Sequence, residues 1–426
     1  MSQGAKIAKV VGRRVWDSRG RPTVEAEVIL TDTKIGRAIA PAGASRGTHE
    51  AVELRDEGKA LGGQGVEQAL KSVNDVIGPS LVGLSADDQE ALDRRIIELD
   101  GTRQKAKLGG NATIAVSMAL AHAAAASARQ PLWRYLAGSD NVTLPMPMVQ
   151  VFGGGAHASG RLDLQDFLMI PIGATSFDEA MVMSAEVYRA AGLLMQKRGL
   201  LRGVADEGGW WPEFSSNEEA IESLIKSIED AGYRPSVDVS IALDIAASQF
   251  GKGGIYRFTA DRAPIDSEEM VSRVTTWCGK YPIISVEDPL AEDDDAGMVA
   301  ITKALGGKVQ IVGDDYLVTS VGRIKAAASR GACNAVLLKP NQIGTLSEAF
   351  AAFRVARELG WRSIVSARSG ETEDVTIVHL AVGWGAEQLK VGSFSRSERM
   401  AKWNEGIRVE AALGKKTTFQ GRGAFK

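Results

Sequence analysis

Two cysteines, four histidines and thirteen prolines in 426 residues leave several protein classes without the material they need. Cys278 and Cys333 cannot build a disulfide framework, and the opening MSQGAKIAKV has no apolar signal-peptide core, so the expectation is a reducing cytoplasm. Charge of one sign is missing too: 50 basic against 53 acidic residues give a net charge of -3, with no electrostatic case for nucleic acid or membrane. The most apolar long run, A-T-I-A-V-S-M-A-L-A-H-A-A-A-A-S-A, carries His122 and falls short of the roughly 20 residues of a membrane span. It reads as a buried helix. Low-complexity tracts are absent, whereas 47 glycines point to tight turns and close backbone approach to a ligand. A small molecule is the expected partner.

What is present is ordinary globular material, 44% apolar and 24% charged, on a chain longer than the roughly 250 to 300 residues at which single cores stop growing. Two domains are expected, 1-140 and 141-426. Residues 7 to 41 alternate as three short strands separated by D-S-R-G-R-P and T-D-T, a meander. From about 49 to 130 the pattern turns helical, completing a small α+β domain. Beyond the turn-rich G-S-D-N at 138 to 141, apolar strands alternate with helices whose starts show capping spacings: Ser176 to Glu179, Ser216 to Glu219, Asp266 to Glu269 and Thr345 to Glu348. The strands M-P-M-V-Q-V-F, Q-D-F-L-M-I-P-I, V-S-I-A-L-D, I-I-S-V-E-D, Q-I-V-G-D-D, A-V-L-L-K, S-I-V-S-A-R and Q-L-K-V-G match an α/β barrel of eight strands. The first two leave no room for a helix between them. A hairpin there, followed by two successive helices, makes the expected barrel irregular at its start.

The later strands end in polar residues of particular types: Asp244, Glu287, Asp314, Lys339, the Arg368-Ser369 corner, and Lys390 within Q-L-K. A barrel brings strand C-termini to one rim, where its enzymes do their chemistry. Taken singly, an acid after a strand caps a helix or pairs with a surface lysine. Three acids at one mouth repel each other unless a hard cation such as Mg²⁺ sits among them. A lysine near a metal and a second cation is expected to have a lowered pKa, which suits a base. The glycine-flanked Asp206-Glu207, and the glycine-rich loops 42-47 and 153-160 with Ser45, Arg46 and His157, are candidate acids and lids. Together these groups describe proton abstraction beside a carboxylate, followed by loss of a leaving group.

At this point the chain resembles the enolase family over nearly its full length, on D-S-R-G-x-P-T-V-E at 17 to 25, G-A-S-x-G at 43 to 47, S-V-E-D-P at 285 to 289, V-G-D-D at 312 to 315, L-L-K-x-N-Q-I-G at 337 to 344, R-S-G-E-T-E-D at 368 to 374 and R-S-E-R-x-A-K at 396 to 402. Sites of that superfamily pair a lysine or histidine base with Mg²⁺. The resemblance implies that Asp244, Glu287 and Asp314 hold one Mg²⁺ tightly and that Ser45 helps bind a second with substrate. It implies Lys339 as base, Lys390 on the carboxylate and enolate, and Glu207 as acid on the departing hydroxyl. Arg368 and Ser369 would bind the phosphoryl group under His157, with Gln165 and Arg46 also toward substrate. A homodimer or larger homo-oligomer acting on a small anionic phosphorylated or phosphonylated acid is implied as well.

Several positions depart from the family pattern. Ala367 stands where enolases carry histidine before the Arg-Ser corner, and Asp166, itself an expected catalytic residue, stands where they carry glutamate in L-x-x-Q-E-F. Both family groups sit by the leaving hydroxyl. Arg46, Gln249 and Pro340 replace a threonine, a glutamate and a valine nearby. The expected reaction is therefore elimination of water from 2-phosphoglycerate or a close phosphorylated or phosphonylated hydroxy acid. The alternatives are an enolase homologue of phosphonate metabolism that forms carboxyphosphonoenolpyruvate, and a non-catalytic binder on the same scaffold.

Overall fold

The computed structural model describes residues 4-44, 47-158 and 162-425. The two lid residues Ser45 and Arg46 lie outside the described residues. Strands β1 (Ile7–Trp16), β2 (Pro22–Leu30) and β3 (Ile35–Ile39) form the expected antiparallel meander. Its first turn is set by Asp17, whose Oδ1 accepts from the backbone N–H groups of Arg19 (2.8 Å) and Arg21 (2.9 Å). Helix α1 (Gln89–Asp100) is capped by Asp88, which accepts from Ala91 N–H at 2.9 Å. Helix α2 (Gly110–Ser127) is the alanine-rich run, and nearly all of it is buried, as its composition requires. It packs against the meander so closely that a Cβ on Gly36 would lie 2.1 Å from the Ala123 nitrogen.

The helical stretch expected from about residue 49 starts later. Residues 51-57 carry no helix, and the first α-helical turn after the meander is Glu67–Lys71. The reason lies in the backbone donors: Ala51 N–H goes to Gln342 O (2.7 Å), Val52 N–H to Gln104 O (2.6 Å) and Leu54 N–H to the Asn111 side chain (3.1 Å). Donors spent on distant segments cannot close a helical ladder.

The second unit is a closed barrel. Its strands are β4 (Met146–Gly153), β5 (Asp166–Ile170), β6 (Ser240–Asp244), β7 (Ile283–Glu287), β8 (Gln310–Gly313), β9 (Ala335–Leu338), β10 (Arg362–Ser366) and β11 (Gln388–Ser393). The pairs β4–β5 and β5–β6 are antiparallel, and the remaining neighbours are parallel. The hairpin start is thus observed. Two helices, α3 (Phe177–Lys197) and α4 (Asn217–Asp230), follow in succession. The outer layer continues with α5 (Ser267–Lys280), α6 (Asp295–Leu305), α7 (Val321–Arg330), α8 (Leu346–Glu358), α9 (Thr376–Trp384) and α10 (Ser397–Leu413). Ser176, Ser216, Asp266 and Thr345 each cap a helix through the N–H three residues on.

Met146, Met148, Leu168, Ile170, Ala242, Val312, Leu337 and Ile364 form an apolar cluster inside the barrel, joined by Ala424 from the C-terminal tail. The Gln388 side chain donates to Ala424 O at 3.1 Å and fastens that tail. The strands' C-terminal rim is left to the polar residues. Against this rim the small domain docks through paired backbone bonds between Ala42 and Gly370 (2.9 and 2.8 Å). No helix of the described residues is long and apolar enough to cross a membrane.

Candidate active site

The Arg368-Ser369 corner is built from beneath. Arg399, fully buried, donates to the carbonyls of Arg368 (2.7 Å), Ser369 (2.5 Å) and Val391 (2.9 Å). Glu371 accepts from Arg368 N–H at 3.0 Å and pairs with buried Lys402 at 3.0 Å. Glu371 is therefore structural, as is Asp374, which accepts from the Ile39 and Thr376 N–H groups (2.9 and 2.7 Å), and the side chains facing the barrel mouth are Arg368 and Ser369. Ser369 Oγ lies 2.9 Å from His157 Nε2, and His157 Nδ1 lies 3.1 Å from Asp166 Oδ1. Glu207 Oε1 is 3.6 Å from the same imidazole. Asp166 also accepts from Gln150, and its other oxygen is 3.6 Å from Lys390 Nζ.

Across the mouth, Lys390 Nζ reaches Asp244 Oδ2 (2.7 Å) and Glu287 Oε2 (2.8 Å), and Lys339 Nζ reaches Asp314 Oδ2 (2.5 Å). Gln165 donates to Asp244 Oδ2 at 2.9 Å. All of these groups are buried. The described candidates thus converge: His157, Gln165, Asp166, Glu207, Lys339, Ala367, Arg368, Ser369 and Lys390 line one small cavity with a volume of about 10 Å³. That is room for about one water, so replacing an imidazole by Ala367 does not by itself open a chamber. A larger cavity of about 450 Å³ lies between small-domain helix α1, with Arg94 and Ile97, and the barrel helices that carry Leu346, Phe350 and Trp384, and contains none of these residues.

Electrostatics explain why the lysines sit where they do. Burial opposes a charge on Lys390, but Asp244, Glu287 and Asp166 outweigh it and hold its pKa well above the ordinary lysine value. Burial also works against Lys339, and Asp314 with Glu287 more than offsets it, so this pKa is raised as well. These directions are set by the protein's own charges alone, whereas the expected lowering concerns a lysine beside a bound metal ion. Burial and then repulsion from Asp244 push Glu287 well above the carboxylate range. For Asp314, burial acts upward and is overcome by Lys339, Lys390 and Arg368, leaving it low. His157 is raised because Glu207 and Asp166 outweigh its burial. Asp166 is low because His157, Lys390 and Gln150 outweigh its burial.

The three expected metal acids do not form one compact group. Ligand atoms within 4.8 Å of one another occur among the described residues in His157–Asp166–Glu207 and in Asp288–Asp314–Asp315. Lys390 stands between Asp244 and Glu287, as a cation must when like charges share a buried site. The donor set still fits a hard cation: three buried carboxylates, with Glu287 Oε1 buried and without a hydrogen-bond partner. Asp288, by contrast, is committed to the backbone N–H groups of Asp314 (2.9 Å) and Asp315 (2.7 Å).

Residues 7–136 match the model described as "Enolase, N-terminal domain", and residues 141–426 match "Enolase, C-terminal TIM barrel domain". The chain belongs to the enolase family. It is similar to "Enolase 1" of Desulfitobacterium hafniense (strain Y51), at 47% identity over 426 residues, covering 99% of this chain and 98% of that protein. As an enolase-family chain it is a carbon-oxygen lyase of the hydro-lyase type.

Within this enolase-like site, three contributors were not among the expected residues, and a fourth, Gln249, stood out only as a departure from the family pattern. Glu50 forms a two-point pair with Arg368 (3.0 and 3.3 Å), and Gln342 donates to Asp314 Oδ1 at 2.9 Å. Gln150 holds Asp166, and Gln249 joins the 153-158 loop to Gln165, accepting from Ala156 N–H at 2.8 Å and donating to the Gln165 side chain. Gln342 lay within a motif already quoted, three residues after Lys339. Glu50 had no spacing signal, because its partner is distant in sequence.

Proposed function

We propose that this chain catalyses Mg²⁺-dependent elimination of water from 2-phosphoglycerate or a closely related phosphorylated or phosphonylated hydroxy acid. The observation that carries the proposal is the meeting of two lysines, three acids, Glu207 and an arginine-serine corner in one buried mouth. In this reading Asp244, Glu287 and Asp314 hold the metal, which when bound stabilises the negative charge that develops on the substrate carboxylate. Lys339 takes the proton from the carbon next to that carboxylate. Lys390 steadies the carboxylate oxygens, Glu207 gives a proton to the departing hydroxyl, and Arg368 with Ser369 orients the phosphoryl group. His157, already bonded to Ser369 and Asp166, closes the side beside Glu207. Segment 1-140 caps the mouth, and the protein works in the cytoplasm as a homodimer or larger homo-oligomer.

The test is turnover. Purified protein with Mg²⁺ and 2-phosphoglycerate should form an enol ester, followed by ultraviolet absorbance, and Lys339→Ala should lower the rate by about a hundredfold or more. A Lys339→Ala rate within tenfold of the parent would remove lysine as the base. Negligible turnover by the parent, alongside proton exchange at the substrate carbon, would move the substrate to a related phosphonylated acid.

A further inference from the structure

We propose that Glu50 is a positioning residue for the reaction: it is the internal counter-anion of Arg368, and it ties the small domain both to the phosphoryl corner and to the metal-side acid Asp314. The inference rests on the reading of Arg368 as the phosphoryl-binding group.

Glu50 and Arg368 are 7% and 4% exposed, so neither charge is tempered by solvent. Their bonds are two-point, Nη1 to Oε2 at 3.0 Å and Nη2 to Oε1 at 3.3 Å. A planar guanidinium held by two oxygens has its plane fixed as well as its place. Glu50 Oε1 also accepts from Gly47 N–H (2.9 Å) and from Gln342 Nε2 (3.4 Å). The same Gln342 nitrogen donates to Asp314 Oδ1 at 2.9 Å, and its oxygen accepts from Thr319 at 2.7 Å. One carboxylate from the small domain therefore sets both an arginine and, through an amide, an acid of the barrel.

Two further bonds hold the segment that carries Glu50. Gln104 donates to Glu50 O at 2.9 Å, and Ala51 N–H donates to Gln342 O at 2.7 Å. Glu50 is thus delivered to the barrel mouth only when the two domains are docked. Its negative charge partly neutralises Arg368, so the arrangement gives up phosphate affinity in exchange for orientation. Removing the charge while keeping the shape should take away the guanidinium's two-point carboxylate partner, with Asp314 and Asp315 the acids that remain near it. Such a cation binds an external anion more strongly, yet is no longer held in the working plane.

The experiment compares the parent with Glu50→Gln, Glu50→Asp and Arg368→Ala, using inorganic phosphate as the probe in thermal unfolding, and 2-phosphoglycerate with Mg²⁺ for turnover. Glu50→Gln should melt lower than the parent, gain at least about twofold in its phosphate-induced rise in Tm, and lose about tenfold or more in kcat without a higher KM. Glu50→Asp keeps the charge and shortens the reach, so its phosphate response should match the parent while kcat falls. Should Glu50→Gln fold too poorly to assay, Glu50→Asp decides by its kcat. A parental phosphate response and a kcat within twofold of the parent in Glu50→Gln, or a parental kcat in Glu50→Asp, would overturn the inference. An undiminished phosphate response in Arg368→Ala would instead remove Arg368 from phosphoryl binding, whatever Glu50 does.

Discussion

Acid should loosen this protein through a histidine pair that does not line the site cavity. His379 on α9 is buried and His122 on α2 half-buried, packed edge to face with ring centroids 6.1 Å apart, where a small-domain helix meets a barrel helix. Burial first, then repulsion from His122, lowers the His379 pKa to about 4, against the ordinary 6.5. Glu405, 3.5 Å from its Nε2, does not reverse this. His122 is lowered as well, by burial.

For a base with a depressed folded pKa, the unfolded chain binds the extra proton first as pH falls. Stability is therefore intact above about pH 6.5 and declines from there toward pH 4. For His379 the loss approaches about 2 kcal/mol at pH 5 and about 3 kcal/mol at pH 4, at about 1.36 kcal/mol per pKa unit. The assay is the urea midpoint at pH 7.5 and at pH 5 for the parent and for His379→Gln. Each carries the same background of carboxylate titration, and the difference between the two pH slopes isolates the imidazole. His379→Gln should be flatter across this window by most of that amount. Equal slopes in the two proteins would refute the reasoning.

Three other outcomes follow from the site and its frame. Glu287→Gln should abolish the Tm rise on adding Mg²⁺, which in the parent corresponds to about 2.7 kcal/mol at a metal concentration a hundred times Kd; a parental Mg²⁺ response in the variant would exclude Glu287 as a ligand. The double variant Asp166→Glu with Ala367→His restores the family pattern beside the leaving hydroxyl, and should gain about a hundredfold on 2-phosphoglycerate if the parent is limited there; an unchanged or slower rate would show that these positions do not limit it. Gly36→Ala puts a Cβ 2.1 Å from one backbone atom of α2 and 2.2 Å from another, so circular dichroism and limited proteolysis should show the small domain unfolded or detached. A parental melting curve would contradict that contact.

Much of the frame was legible because it depends on local chemistry. Strand alternation, capping side chains and a connection between Phe152 and Gln165 without room for a helix are short-range facts, and they foretold the meander, the helix starts and the antiparallel hairpin. The residues closing β6, β7, β8 and β9 were legible for a related reason: once the strands form a barrel, their C-terminal ends must share a rim. Residues 51-57 misled because their donors are taken by Gln342, Gln104 and Asn111, none of them near in sequence. Composition and motif by themselves settled an α/β barrel with a small α+β partner, and the residue types at its mouth. Only the tertiary structure decided which charges face each other there. Coulomb energy and desolvation depend on distances across the mouth, so the pairing of Lys390 with Asp244 and Glu287, of Lys339 with Asp314, and of Arg368 with Glu50 could not be read along the chain.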